Sequence, residues 1–202
     1  MCNLYHLRGH LTPKDFSSLF KVPDVTPDLF AAVQHWPMKP GLIVRSCESA
    51  AGREAAILRW GLVPHWADDP KIGRTMTNAR SETVASKPSF RNAFQSRRCL
   101  IPASGFCEYW EKKWYEFTLP DQAVFAIAGL WEQWNKGDEP LETYTMLTTQ
   151  SNDLVTQYHV KQRMPVILAA GDYDRWLTGT PEDTQGLLRT YPADQMAVAP
   201  VS

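Results

Sequence analysis

Fifteen prolines are spread through the 202 residues, and they limit how far any regular element can run. Proline lacks an amide donor and clashes with the preceding turn, so helix interiors and central strands both exclude it. The chain is thereby divided into short pieces. Short apolar or alternating runs predict strands near 41–47, 55–62, 97–102, 114–119, 123–131, 142–149 and 164–169. Helices are predicted near 88–95, 151–157 and 172–177. Two more carry explicit start signals. Thr12-Pro13-Lys14-Asp15 supplies a capping Thr, a proline at the first helical position and an acid in the first turn, which predicts a helix over 13–20. Thr180-Pro181-Glu182-Asp183 repeats the pattern before a helix at 181–189. Many short strands with few inserted helices imply a β-rich α+β fold. The expectation is a single domain over 1–202, built of curled, mostly antiparallel strands with a few peripheral helices.

The hydrophobic content of 44% with 21% charged residues is that of an ordinary globular protein long enough to bury a core. No apolar run approaches the ~20 residues of a membrane span, and the N-terminus lacks a signal-peptide pattern, so a cytoplasmic protein is expected. Cys2, Cys47, Cys99 and Cys107 form no CxxC pair and have no His at metal-ligand spacing. Neither a zinc site nor a disulfide framework is expected, and without a phosphate-cradling Gly loop no cofactor is expected either. A net charge of −1 argues against a globally basic surface. Locally the balance differs: Lys71, Arg74, Arg80, Lys87, Arg91, Arg97 and Arg98 are interrupted by one acid, Glu82. Such a run is either a solvated face or a phosphate-binding surface. Among the tryptophans, Trp60, Trp131 and Trp176 sit in apolar runs and are expected in the core. Trp36 (His35-Trp36-Pro37) and Trp66 (Pro64-His65-Trp66) lie in rigid loops, where an aromatic either anchors its loop or stacks on an unpaired base.

Chemistry is suggested first by Cys2. If the initiator Met1 is removed, Cys2 carries an α-amine and a thiol on adjacent carbons. Their ordinary pKa values of ~8 and ~8.5 leave both partly nucleophilic at neutral pH. Together they can capture an aldehyde, the amine as an imine and the thiol by closing a five-membered ring on the same carbon. Three polar segments, 77–82, 97–110 and 158–168, stand among the apolar ones. Glu108 follows an apolar stretch and is flanked by aromatics. A carboxyl in such surroundings has a raised pKa suited to acid/base work, whereas an exposed strand Glu would not. His159 lies just before a β-like run, where it either points into a site or serves structure.

Taken in order, these stretches resemble the SRAP (SOS response-associated peptidase) family. The resemblance rests on Met1-Cys2, Trp60-Gly61-Leu62-Val63-Pro64 with Trp66, Asn78-Ala79-Arg80-Ser81-Glu82-Thr83, Phe90-Arg91, Arg97 to Ala103 with Gly105-Phe106 and Glu108, Ala128-Gly129-Leu130-Trp131, Thr148-Thr149, and Arg163-Met164-Pro165-Val166. It implies a sensor or shield of abasic sites in single-stranded DNA. Cys2 would form a thiazolidine with the ring-opened sugar, Asn78 would orient the terminal Cys and the sugar, Glu108 would move protons, and His159 would aid ring opening. Arg80, Arg91 and Arg98 would contact phosphates, and Trp36, Pro37 and Trp66 would line the DNA path. The implied partner is abasic single-stranded DNA, with no metal, no cofactor and no membrane; a monomer is expected, nucleoid-associated when DNA is damaged.

The chain departs from the family pattern at three places. The usual Met-Cys-Gly-Arg start is Met1-Cys2-Asn3-Leu4, which removes an expected phosphate contact and changes the backbone freedom beside Cys2. The family's Asn-x-x-Pro loop is Gln34-His35-Trp36-Pro37. Counting back from Arg163 puts Lys161 at the family's His position, whereas counting forward from Thr149 reaches His159; a two-residue insertion favours His159, with Lys161 the alternative. Two other readings stand beside the first: a cysteine peptidase acting at least on its own Met1 through Cys2, Glu108 and His159, and a non-covalent single-stranded-DNA-binding module without catalysis.

Overall fold

The computed structural model describes residues 2–8, 11–23, 25–30, 33–48, 52–159 and 161–201, and these assemble as two sheets. In chain order the first elements are β1 (Leu4–His6), α1 (Pro13–Phe20), β2 (Gln34–His35), β3 (Pro40–Ser46), β4 (Arg53–Trp60) and β5 (Asn78–Arg80). Next come α2 (Arg91–Ser96), β6 (Arg98–Ala103), β7 (Gly105–Trp110), β8 (Lys113–Thr118), β9 (Phe125–Trp134) and β10 (Leu141–Gln150). The last are α3 (Asp153–Thr156), β11 (Arg163–Pro165), β12 (Ile167–Leu168), α4 (Tyr173–Thr178), α5 (Pro181–Gln185) and β13 (Ala197–Pro200). Among the described residues no helix is long and apolar enough to cross a membrane.

One sheet has the order β13-β8-β7-β1-β2. In the other, β10, β4, β3, β6 and β9 follow one another and β9 pairs back onto β10, so these five close into a barrel. Pairing is antiparallel except where β4 and β5 run parallel to β10. β5 takes over the edge of β10 where β4 leaves it, Asn78 standing opposite Met146 two residues beyond the Trp60–Tyr144 pair. The run expected as one strand over 164–169 is two. It fills the wedge where β9 and β10 diverge: Val166 N–H donates to Leu147 O (2.9 Å), and Val166 O accepts from Ala128 N–H (2.8 Å).

The barrel strands are covered on both faces, which is why they read as continuous apolar runs. Leu42, Val44, Leu100, Ala128 and Leu130 pack with Phe16 and Phe20 of α1, Phe94 of α2 and Trp176 of α4. The alternate residues Ile43, Cys99, Ile101 and Ile127 pack with Tyr5, Phe106 and Phe117 of the five-stranded sheet. Burial of each such large side chain contributes about 1.5–3 kcal/mol. At Gly129 the strands approach so closely that a Cβ would lie 2.8 Å from Cys99 Sγ and Ile101 Cδ1. β1 is drawn into place by Tyr5. Its hydroxyl shares a 2.7 Å hydrogen bond with Tyr144, and its ring stacks on His35 at 4.6 Å and meets Trp60 edge-on at 5.3 Å.

Both capping boxes form as the sequence suggests, at Thr12–Asp15 and Thr180–Asp183. α5 stops at Gln185, short of the expected 189. Trp60 and Trp176 are fully buried, but Trp131 is only half-buried, with the Arg45 guanidinium 4.1 Å from its ring centre. Arg98, expected on the DNA face, is instead an internal tie. Its buried guanidinium donates to the carbonyl oxygens of Trp176 (2.6 Å), Phe94 (2.6 Å), Gln95 (3.1 Å) and Gly179. Four of its five N–H donors are spent on carbonyls, and the group is buried away from the surface where a phosphate would bind. Arg98→Ala strands these acceptors and should lower stability by about 3 kcal/mol in urea denaturation, with Lys restoring little because it lacks the planar fork.

Candidate active site and nucleic-acid groove

Strand β1 is an inner strand, paired with β7 in the register Leu4↔Cys107 and with β2 at Tyr5↔His35. This fixes Cys2 at the head of the strand. Its thiol donates to Leu4 O (3.4 Å) and Cys107 O (3.9 Å), and the residue is only 1% exposed. Burial pushes the thiol pKa well up, and the neighbouring Glu108 charge adds to this. The Cys2 carbonyl accepts from Asn78 Nδ2 (3.0 Å), which also donates to Thr77 Oγ1 (3.2 Å). Trp60 Nε1 donates to Thr77 O (2.7 Å) and thereby pins the residue before Asn78.

Glu108 is the fourth residue of β7 and is 6% exposed. Burial raises its pKa to about 8, so the carboxyl is mostly protonated at neutral pH. His159 Nε2 lies 3.4 Å from Glu108 Oε2. The Lys161 backbone N–H donates to His159 Nδ1 (2.9 Å), so a neutral ring carries its proton on Nε2, facing the carboxyl. Burial lowers the His159 pKa to about 4. The pair is a neutral acid facing a neutral imidazole. With Nε2–H against Oε2, the acid proton belongs on Oε1. Glu108 Oε1 and Asn78 Oδ1 are buried without a hydrogen-bond partner among the described residues. Each such atom costs about 1–3 kcal/mol and marks a place where a ligand can complete the bonding.

The acid opens onto a cleft of about 220 Å³ lined by Asn3, Glu108, Tyr109, Trp114, Tyr158, His159 and Lys161. Aromatics surround it: Trp114 meets Trp36 edge-on at 5.6 Å and Tyr109 at 5.2 Å, and Trp36 and Tyr109 are exposed. Lys161 also lines a second concavity of about 640 Å³, with Asn78, Arg80, Lys87, Phe90 and Arg163, whose lining includes no acid. The acid cleft and the basic groove share Lys161 as a lining residue.

The fold thus brings Cys2, Asn78, Glu108 and His159 together and sets Arg80 in the groove. Trp36 flanks the cleft with half-buried Pro37 beside it. Trp66 is exposed and donates to Pro88 O (3.5 Å), next to groove residue Lys87. Arg91 is exposed at the start of α2, outside the groove lining. Leu4 is buried, so position 4 offers no phosphate contact. Tyr109 and Trp114 escape a sequence reading that looks for aromatics in loops, because they face each other across the β7–β8 ladder. For a metal, the fold does what spacing does not suggest: one ligand atom each from His6, Cys107 and Glu116 lies within 4.8 Å of the others. The Arg8 guanidinium already occupies the cation position there, 3.0 Å from His6 Nδ1 and 2.8 Å from Glu116 Oε2.

The family model "SOS response associated peptidase (SRAP)" matches residues 1–202. "Abasic site processing protein YoqW" of Bacillus subtilis is 44% identical over 155 residues, covering 72% of this chain and 68% of its own length. "Abasic site processing protein HMCES" of Gallus gallus is 31% identical over 175 residues, covering 72% of this chain and 52% of its own. A crystal structure of a Bordetella bronchiseptica protein superposes with a TM-score of 0.84 at 33% identity, each chain covered completely. One from Bacteroides thetaiotaomicron reaches 0.87 at 24% identity, covering 100% of this chain and 92% of its own, and shows the shared fold.

The buried acid has a thermodynamic signature. Between the ordinary Glu pKa of about 4.5 and about 8, folded Glu108 keeps a proton that the unfolded chain releases, so stability falls as pH rises through that window. Glu108→Gln cannot ionise and removes the effect. Denaturant melts at pH 5.5 and pH 9 should show the variant gaining about 3 kcal/mol relative to wild type between the two. A constant difference would place the Glu108 pKa near its ordinary value.

Proposed function

Because the chain belongs to the SOS response associated peptidase family, we propose that it captures abasic sites in single-stranded DNA as a covalent crosslink at Cys2. Similarity to proteins named for abasic site processing supports the substrate. The observation that carries the chemistry is the buried Glu108–His159 pair beside Cys2, with Glu108 Oε1 lacking a hydrogen-bond partner among the described residues.

Met1 lies outside the described residues; its removal frees the α-amine of Cys2. An abasic sugar rests mostly as a closed hemiacetal, and a paired acid and base next to it open the ring to the aldehyde. The neutral amine adds to the aldehyde carbon. Glu108 then gives its proton to the carbinolamine hydroxyl, which leaves as water and yields the imine. The Cys2 thiol, kept protonated by burial, returns a proton to the Glu108 carboxylate as sulfur closes the ring. A carboxyl poised near pH 8 suits both transfers. Asn78 holds the Cys2 carbonyl and offers Oδ1 to the amine or a sugar hydroxyl. Arg80, Lys87 and Lys161 neutralise backbone phosphates, and Trp36, Tyr109 and Trp114 replace lost stacking. The peptidase reading has less support, since the Cys2 thiol donates to backbone carbonyls and its pKa is raised, the opposite of an activated thiolate.

Protein shown by intact mass to lack Met1 should give a retarded band on a denaturing gel with an abasic single strand, and Cys2→Ala should abolish the stable adduct. No band from processed wild type contradicts the proposal. Non-covalent affinity measured on Cys2→Ala should fall with salt, and Arg80→Ala and Lys87→Ala should each reduce the log–log salt slope by about 0.7.

A further inference from the structure

Among the described residues Lys161 is the one that lines both the acid cleft and the basic groove. Its backbone is fixed. Lys161 N–H is bonded to His159 Nδ1, and the next residue, Gln162, is held left-handed at φ 49° by its N–H to His159 O (3.0 Å) and by Ser151 N–H to its own carbonyl (3.0 Å). A non-glycine residue kept in this region costs on the order of 1 kcal/mol, which the surrounding bonds offset. The turn thus presents the lysine at the junction of cleft and groove. The Lys161 charge reaches His159, helping to lower its pKa after burial. Among the described residues no carboxylate is ion-paired with Lys161, whereas Arg163 beside it is held by Glu82 at 2.6 Å. The Cys2 reading leaves this amine with a phosphate contact alone, although it stands where an aldehyde bound against Glu108 would come within reach.

We propose that Lys161 is a second capturing amine, giving the protein an abasic-site lyase activity that needs no free N-terminus. The inference rests on the abasic-site reading above but not on Cys2. The Lys161 ammonium gives a proton to bulk water, and the freed amine adds to the ring-opened C1′ aldehyde. Glu108 protonates the resulting hydroxyl, which leaves as water, and an imine forms. The Glu108 carboxylate then removes the C2′ proton, the C3′–O bond breaks, and the downstream strand departs with its 5′-phosphate, its charge met by Arg80. Water hydrolyses the unsaturated imine and returns the amine. One water is released and one consumed, Glu108 ends protonated, and no oxidant or metal is required. While Met1 is attached the Cys2 nitrogen is an amide, so the lysine route is open in a chain whose crosslinking route is closed.

The test uses the full chain with a short extension ahead of Met1, which keeps the Cys2 nitrogen an amide, incubated with an abasic single strand with and without borohydride. The expected result is strand incision without borohydride and, with it, a trapped secondary amine that peptide mass spectrometry maps to Lys161. Lys161→Arg, which keeps the charge and is checked for folding by its melt, should lose both at least tenfold. Absence of a trapped adduct, mapping to another amine, or undiminished trapping by Lys161→Arg overturns the proposal. Trapping at Lys161 while processed wild type forms no Cys2 adduct upholds the lysine route and overturns the Cys2 reading alone.

Discussion

The pairing of β1 with β7 is the constraint on which the site depends. A residue at position 2 would ordinarily fray, since chain ends are poorly ordered unless tied down. Here three residues, Leu4–His6, are zipped between β7 and β2 and locked to the barrel by the buried Tyr5–Tyr144 hydrogen bond. The register that sets Leu4 against Cys107 brings Cys2 and Glu108 onto neighbouring strands, and Asn78 reaches across from β5 to the Cys2 carbonyl. A slip of one residue would turn alternate side chains to the other face and dismantle the arrangement. The mobility expected of a terminus is thereby removed from the place where the proposed chemistry needs a fixed nucleophile.

The electrostatics of the site stand out against the same sheets' other buried acids. Glu116 on β8 is bound by His6 (2.6 Å) and Arg8 (2.8 Å), and Glu132 on β9 by Arg97 (2.8 Å). Those carboxylates are compensated and serve the fold. Glu108, similarly buried, is paired among the described residues with an imidazole whose own pKa is lowered. Among the described residues no side-chain cation is paired with it, so desolvation dominates and the group holds its proton near neutrality. A carboxyl left uncompensated beside an unpartnered amide oxygen costs stability, which is the usual mark of a working site.

Much of this was legible in the sequence. The barrel strands declare themselves by two-sided burial, and the helix starts at Thr12 and Thr180 by their capping residues. Among the strands that escaped are those that build the site. β1 is three residues long, and β5 is three residues that pair only with the barrel. β7 was obscured because its hairpin to β8 turns through Glu111 (φ 47°) and Lys112 (φ 63°), left-handed positions that usually announce themselves as Asn or Gly. Arg98 misled for the opposite reason: a basic neighbour of basic residues reads as surface, and only packing against α2 and the end of α4 shows its guanidinium spent on carbonyls. His159 and Lys161, the two alternatives the sequence offers for one role, stand at different places, His159 facing the acid and Lys161 lining both the cleft and the groove.

Proton transfer at the centre of this account requires Glu108 to be a neutral acid opposite a neutral His159. Carbon-13 NMR of protein labelled at glutamate side-chain carboxyls, with Glu108 assigned through Glu108→Gln, measures this directly. A titration midpoint near pH 8, with His159 held as the Nε2–H tautomer across neutral pH, is the result expected. A midpoint near 4.5, the ordinary value, would mean that the carboxylate is ionised throughout, and the assignment of Glu108 as proton donor would be wrong.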